Sequence, residues 1–103
     1  MKYVILKAEH SCGAMRVYPF VFPEYMTHFF VERGMILSVQ SEVPNVSVEL
    51  LSAGFCYRDR PGHLFHWFCD SGSESLGIVG NDVRSREDEC ILNMPEALQG
   101  FVS

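Results

Sequence analysis

The sequence predicts an α+β domain: a mainly antiparallel sheet of four to six strands, one packed helix at about 23–33 and a short C-terminal helix at about 86–93. Three observations predict it. Strand-forming runs recur at 3–8, 15–22, 46–57 and 64–69, separated by turn residues. The stretch from Phe22 onward switches to helical spacing of its large apolar residues. The chain has 103 residues, nearly half of them apolar and a fifth charged, which is material for one core, so residues 1–103 read as a single domain.

Tyr3-Val4-Ile5-Leu6-Lys7-Ala8 and Met15-Arg16-Val17-Tyr18-Pro19-Phe20-Val21-Phe22 make a hairpin around the loop Glu9-His10-Ser11-Cys12-Gly13-Ala14. Pro19 cannot donate to a ladder, so the second strand belongs at an edge or carries a bulge. Pro23 suits the first turn of a helix. Phe22, Tyr25, Met26, Phe29 and Phe30 fall at i, i+3, i+4, i+7 and i+8, one apolar stripe that should be core, with Thr27 and His28 on the tolerant side. Gly34 is the expected stop. Residues 35–43 then read as a half-wet strand, because Leu37, Val39, Ser41 and Val43 alternate with Ser38, Gln40 and Glu42.

After the turn signal Pro44-Asn45 a longer strand runs to Tyr57, and Pro61-Gly62 marks a second hairpin tip. In that register Tyr57 faces His66, Cys56 faces Trp67 and Phe55 faces Phe68. Phe55, Tyr57, Leu64 and Phe68 share one side; Cys56, Phe65 and Trp67 share the other. Both sides are apolar, and one helix covers one of them. Cys69 falls opposite Gly54, so all four cysteines are expected as free thiols unless a bulge brings Cys56 and Cys69 together. Residues 70–84 read as loop, with a short edge strand at 76–79. Ser85-Arg86-Glu87-Asp88 resembles a capping box at the start of the last helix.

Net charge is −5, and all of it lies in residues 59–103. An acidic chain lacks the basic face that phosphate contacts need, which argues against nucleic acid. No stretch approaches the roughly 20 apolar residues of a membrane span, and the apolar run after Met1 is cut short by Lys7, unlike a signal peptide. The expectation is a cytoplasmic protein with reduced cysteines.

Four pieces of sequence carry a resemblance. They are Phe20-Val21-Phe22-Pro23-Glu24, Ser52-Ala53-Gly54-Phe55, Gly72-Ser73-Glu74-Ser75-Leu76-Gly77 and Ser85-Arg86-Glu87-Asp88. In order and spacing they resemble small phage- and prophage-encoded proteins of unassigned function, although Glu87 stands where that pattern tends to carry Pro. The resemblance implies a phage or bacterial-host setting and assigns no catalytic residue.

Chemistry-bearing residues are few. His10, Cys12, His63, His66 and Cys69 are the ligand types that a small enzyme or metal protein would use. The spacing of three from His63 to His66 to Cys69 alternates faces on a strand, so the set reads as hairpin residues and no metal or cofactor is expected. Ser71-Gly72-Ser73-Glu74-Ser75 lacks any nucleophile motif. What remains is surface: Phe65, Trp67 and Phe68 on the hairpin, and Glu87, Asp88 and Glu89 on the last helix. They point to a non-enzymatic accessory protein that works by protein–protein contact, with a homodimer on the apolar hairpin face and a basic host protein, such as a defence factor, on the acidic segment. Virion assembly is the neighbouring alternative.

Overall fold

The computed structural model describes residues 1–58 and 66–94. Four strands and two helices follow in the order β1 (Lys2–His10), β2 (Met15–Phe22), α1 (His28–Glu42), β3 (Val46–Arg58), β4 (Trp67–Ser71) and α2 (Asp82–Leu92). The sheet order is β2-β1-β3-β4, with every neighbouring pair antiparallel. The α+β class and the antiparallel sheet therefore stand as the sequence predicts.

The first hairpin forms where its residues direct. Gly13 takes φ +90 in the turn, and its N–H donates to the His10 carbonyl at 2.8 Å. Pro19 pairs with Ile5 on the outer strand of the sheet, where its missing N–H interrupts no inner ladder. Alternation along β1 feeds two cores. Val4, Leu6 and Ala8 pack with Tyr18, Phe22, Val31 and Val39 beneath α1, while Tyr3 and Ile5 pack with Cys56, Cys69 and Leu92 beneath α2. A helix thus lies on each face of the sheet.

Helix α1 is the main correction. It starts at His28, five residues later than the expected 23, and it runs through the segment read as a strand at 35–43. The start is set by capping. Thr27 is the N-cap and its hydroxyl accepts from the Phe30 N–H at 3.3 Å, whereas Phe22, the residue before Pro23, offers no capping side chain. The inward stripe is buried His28, Val31 and Val39 with half-buried Met35, at spacings of three, four and four. Tyr25, Phe29 and Phe30, expected as core, are 86, 47 and 75% exposed, and His28, expected to be tolerant, is buried. Gly34 lies inside the helix. The helix stops at Pro44, with Asn45 in the left-handed region at φ 57.

The β3–β4 register differs from the expectation by two residues. Cys56 pairs with Cys69, Tyr57 with Phe68 and Arg58 with Trp67. An even shift keeps every side chain on its expected face. The Pro61-Gly62 tip, with His63, Leu64 and Phe65, lies outside the described residues. The Arg58 guanidinium sits 4.9 Å from the centre of the Trp67 ring at the end of the ladder.

The expected edge strand at 76–79 is a tight turn instead. Ser73 and Ile78 exchange backbone hydrogen bonds of 3.0 and 2.9 Å, and Leu76 and Ile78 tuck into the α1-side core. Gly80 then presses on β4 so closely that a Cβ there would stand 1.7 Å from the Ser71 carbonyl oxygen. α2 begins four residues before the expected 86 because Asn81, not Ser85, is its N-cap, accepting from the Arg84 N–H at 2.8 Å. Among the described residues no helix is long and apolar enough to cross a membrane.

Candidate interaction surface

The two sides of the β3–β4 hairpin have opposite fates. One side carries Cys56, Trp67 and Cys69, and α2 covers it with Ile91 and Leu92. A buried polar latch fixes that cover. The Asp88 carboxylate, fully buried, accepts from the Tyr3 hydroxyl, from the Ser52 hydroxyl at 2.6 Å and from the Arg84 Nε at 2.9 Å. Ser85 adds a second tie, its hydroxyl accepting from the Ser71 N–H at 2.9 Å. No buried side-chain nitrogen or oxygen among the described residues lacks a partner, so the latch is complete. Burial and the neighbouring Asp88 push the Tyr3 hydroxyl well above its ordinary pKa, and it remains a donor. Burial likewise pushes the Cys56 thiol up to about 11 and the Cys69 thiol up to about 12.

The other side stays open. Phe55 and Tyr57 are 45 and 56% exposed. Tyr57 stacks on Phe68 at 5.5 Å, His66 stands edge-on to Phe68 at 4.7 Å, and Phe55 meets the His28 ring at 5.5 Å. This row continues to the start of α1. The Lys2 ammonium donates to the Met26 carbonyl at 3.0 Å and lies 5.7 Å from the centre of the Phe55 ring, so it joins the exposed turn carrying Tyr25 and Met26, which leads into Phe29 and Phe30 of α1, to the hairpin. Between them opens a cleft of about 630 Å³ lined by Lys2, Thr27, His28, Phe55, Glu74 and Ser75. His28 forms the cleft floor. Its Nε2–H donates to the Gly54 carbonyl at 2.7 Å, and desolvation, helped by Lys2, lowers its pKa and keeps the ring neutral.

The sheet edges near this surface are blocked. The Asn93 side chain mimics a strand: its Oδ1 accepts from the Trp67 N–H at 2.7 Å and its Nδ2 donates to the Trp67 carbonyl at 2.9 Å. Pro19 interrupts the outer edge of β2. An added strand would therefore find these backbone positions already taken.

The expected interaction residues divide accordingly. Phe68 belongs to the open row, Trp67 to the side closed by α2, and Phe65 lies outside the described residues. Glu87 is exposed and bonds Arg84 at 3.1 Å, and Glu89 is half-buried. Asp88, expected as an acidic contact, is wholly spent on the latch, because an (i, i+4) step from Arg84 turns it inward.

The ligand types do not converge. His10 and Cys12 sit at one end of β1, and His66 and Cys69 lie beside its other end, roughly 25 Å away along a nine-residue strand. His66 contacts the open-side Phe68, while Cys69 faces α2, and no three His, Cys, Asp or Glu side chains among the described residues are grouped to hold a metal ion. Sequence reasoning missed His28, Asn93 and the exposed turn before α1; Thr27 as a cap type was the available signal for the last. No protein-family model matches the chain, and no curated protein or solved structure is significantly similar to it.

Proposed function

We propose that this chain is a non-enzymatic interaction protein that pairs with a second copy of itself through the open aromatic surface. The observation that carries this is the area left in water. Tyr25, Phe29, Phe30, Phe55 and Tyr57, at the exposures given, together leave roughly 600 Å² of residue surface in contact with solvent. That is at the upper end of what a monomer exposes, and it approaches the ~800 Å² per partner of a standard interface. A second copy fits better than a charged ligand, since the Arg33 guanidinium lies over the Phe29 ring and the cleft balances one ammonium, Lys2, with one carboxylate, Glu74. A two-fold axis can set each against the other and needs no second gene product.

The setting is part of the same proposal. The four sequence pieces that resemble phage and prophage proteins support a phage-type accessory role in a bacterial host's cytoplasm. Glu87 leaves an acidic outer surface on α2 for a basic host protein, such as a defence factor.

Light scattering over a micromolar dilution series tests the reading. The expected mass is that of two chains, falling to one in Phe68→Glu, whose charge enters the open row. A mass of one chain at every concentration overturns the self-association. A dimer that survives Phe68→Glu with the fold intact moves the interface elsewhere.

A further inference from the structure

Cys56 and Cys69 are direct cross-strand partners, and both are buried in the core beneath α2. Their pairing type follows from the neighbouring bonds. The Gly72 N–H donates to the Ala53 carbonyl at 2.8 Å, which makes 53–72 a hydrogen-bonded pair; counting along the ladder makes 56–69 a non-hydrogen-bonded one. The Cys56 N–H points the other way, to the Met1 carbonyl at 2.9 Å, as this alternation requires. Cα atoms in such pairs lie about 4.5 Å apart with side chains on the same face, inside the window that a disulfide spans. Both thiols stand in the apolar cluster with Tyr3 and Leu92; Cys56 is sealed within it, while Cys69 also lines a shallow pocket of about 320 Å³ beside α2, with Asp82, Ser85 and Glu89.

We infer that Cys56 and Cys69 are a thiol–disulfide couple that closes an intrachain cross-strand bridge when the chain meets a small disulfide oxidant such as oxidised glutathione. One cysteine, as thiolate, attacks a sulfur of the oxidant, forming a mixed disulfide and releasing one reduced thiol. The other, as thiolate, attacks the protein-side sulfur, forming the Cys56–Cys69 bond and releasing the second thiol. The two protein thiols lose two protons and two electrons, and the oxidant gains them. The oxidant meets Cys69 first, from the pocket beside α2, and the Asp88 latch that seats α2 narrows its approach. High thiol pKa values slow the attack further, because the thiolate is the nucleophile. The bridge would pin β4, and with it Phe68 of the open row, to β3.

The test uses the full chain with the two exposed cysteines removed, Cys12→Ser/Cys90→Ser, so that only the buried pair reports. The protein is refolded from denaturant in mixed reduced and oxidised glutathione, then denatured and titrated with a thiol reagent. The expected result is no free thiol, no bound glutathione and a Cys56–Cys69 linked peptide after digestion. Folded protein treated directly should oxidise about tenfold faster at pH 9 than at pH 8, with a Tm gain of roughly 10 °C once bridged. Two free thiols after refolding, or glutathione adducts without a bridge, overturn the inference.

Discussion

One hairpin offers its two sides to different fates, and the contrast explains the molecule. On the Trp67 side, Cys56 and Cys69 are held under α2 by an apolar contact and a buried carboxylate. On the Phe68 side, Phe55 and Tyr57 carry rings of similar size and stay half in water. Both sides are aromatic and apolar in sequence. What separates them is whether the chain itself returns to cover them, and the Asp88 latch with Asn93 decides that for one side only.

The largest expected effect breaks the sealed side. Asp88→Ala leaves the Tyr3 and Ser52 hydroxyls and the Arg84 guanidinium without their shared partner, and should cost about 3–5 kcal/mol in chemical denaturation. Tyr57→Ala, on the open side, should cost less than about 1 kcal/mol. Equal losses would erase the contrast.

A smaller pair sharpens the placement of α1. Val31→Ala removes two buried methyl groups and should cost about 2 kcal/mol. Phe30→Ala, at 75% exposure, should cost less than about 1 kcal/mol. The reverse ranking would restore the stripe that the sequence suggests.

The two sides were not equally legible in the sequence. β1, β2 and β3 follow from alternation, Pro19 and turn residues, and α2 follows from Ser85-Arg86-Glu87-Asp88 to within a few residues. The start of α1 misleads because Tyr25, Met26, Phe29 and Phe30 have helical spacing yet precede or flank the cap; a single hydroxyl, Thr27, outweighs the stripe. The alternation at 37–43 is a chance of composition inside a helix whose inward-facing residues are 28, 31, 35 and 39. Segments far apart in the chain prove to be structural neighbours. Ser52 bonds Asp88, and Gly54 abuts β4 so tightly that a Cβ would stand 2.2 Å from the Asp70 carbonyl oxygen. Such convergence between distant segments has no local sequence signature. The two-residue register shift that faces Cys56 with Cys69 was hidden for the same reason.

The pH dependence concerns the open side's floor. Burial lowers the His28 pKa below its ordinary 6.5, so the unfolded chain binds the proton more readily than the folded one. The stability this histidine contributes is full above pH 6.5 and is lost as pH falls toward the lowered folded value. Denaturation midpoints of His28→Gln, which keeps a donor for the Gly54 carbonyl, should show a shallower decline over that range than wild type. An identical slope would mean that His28 titrates as it does in water.

The contrast is tested most directly by nuclear Overhauser measurements on a sample mixed from isotope-labelled and unlabelled chains. Contacts between chains should arise from the rings of Phe55, Tyr57 and Phe68, with none from Trp67 or Ile91. Contacts between chains at Trp67 and Ile91, or none at all at concentrations where the rings are resolved, would contradict the account.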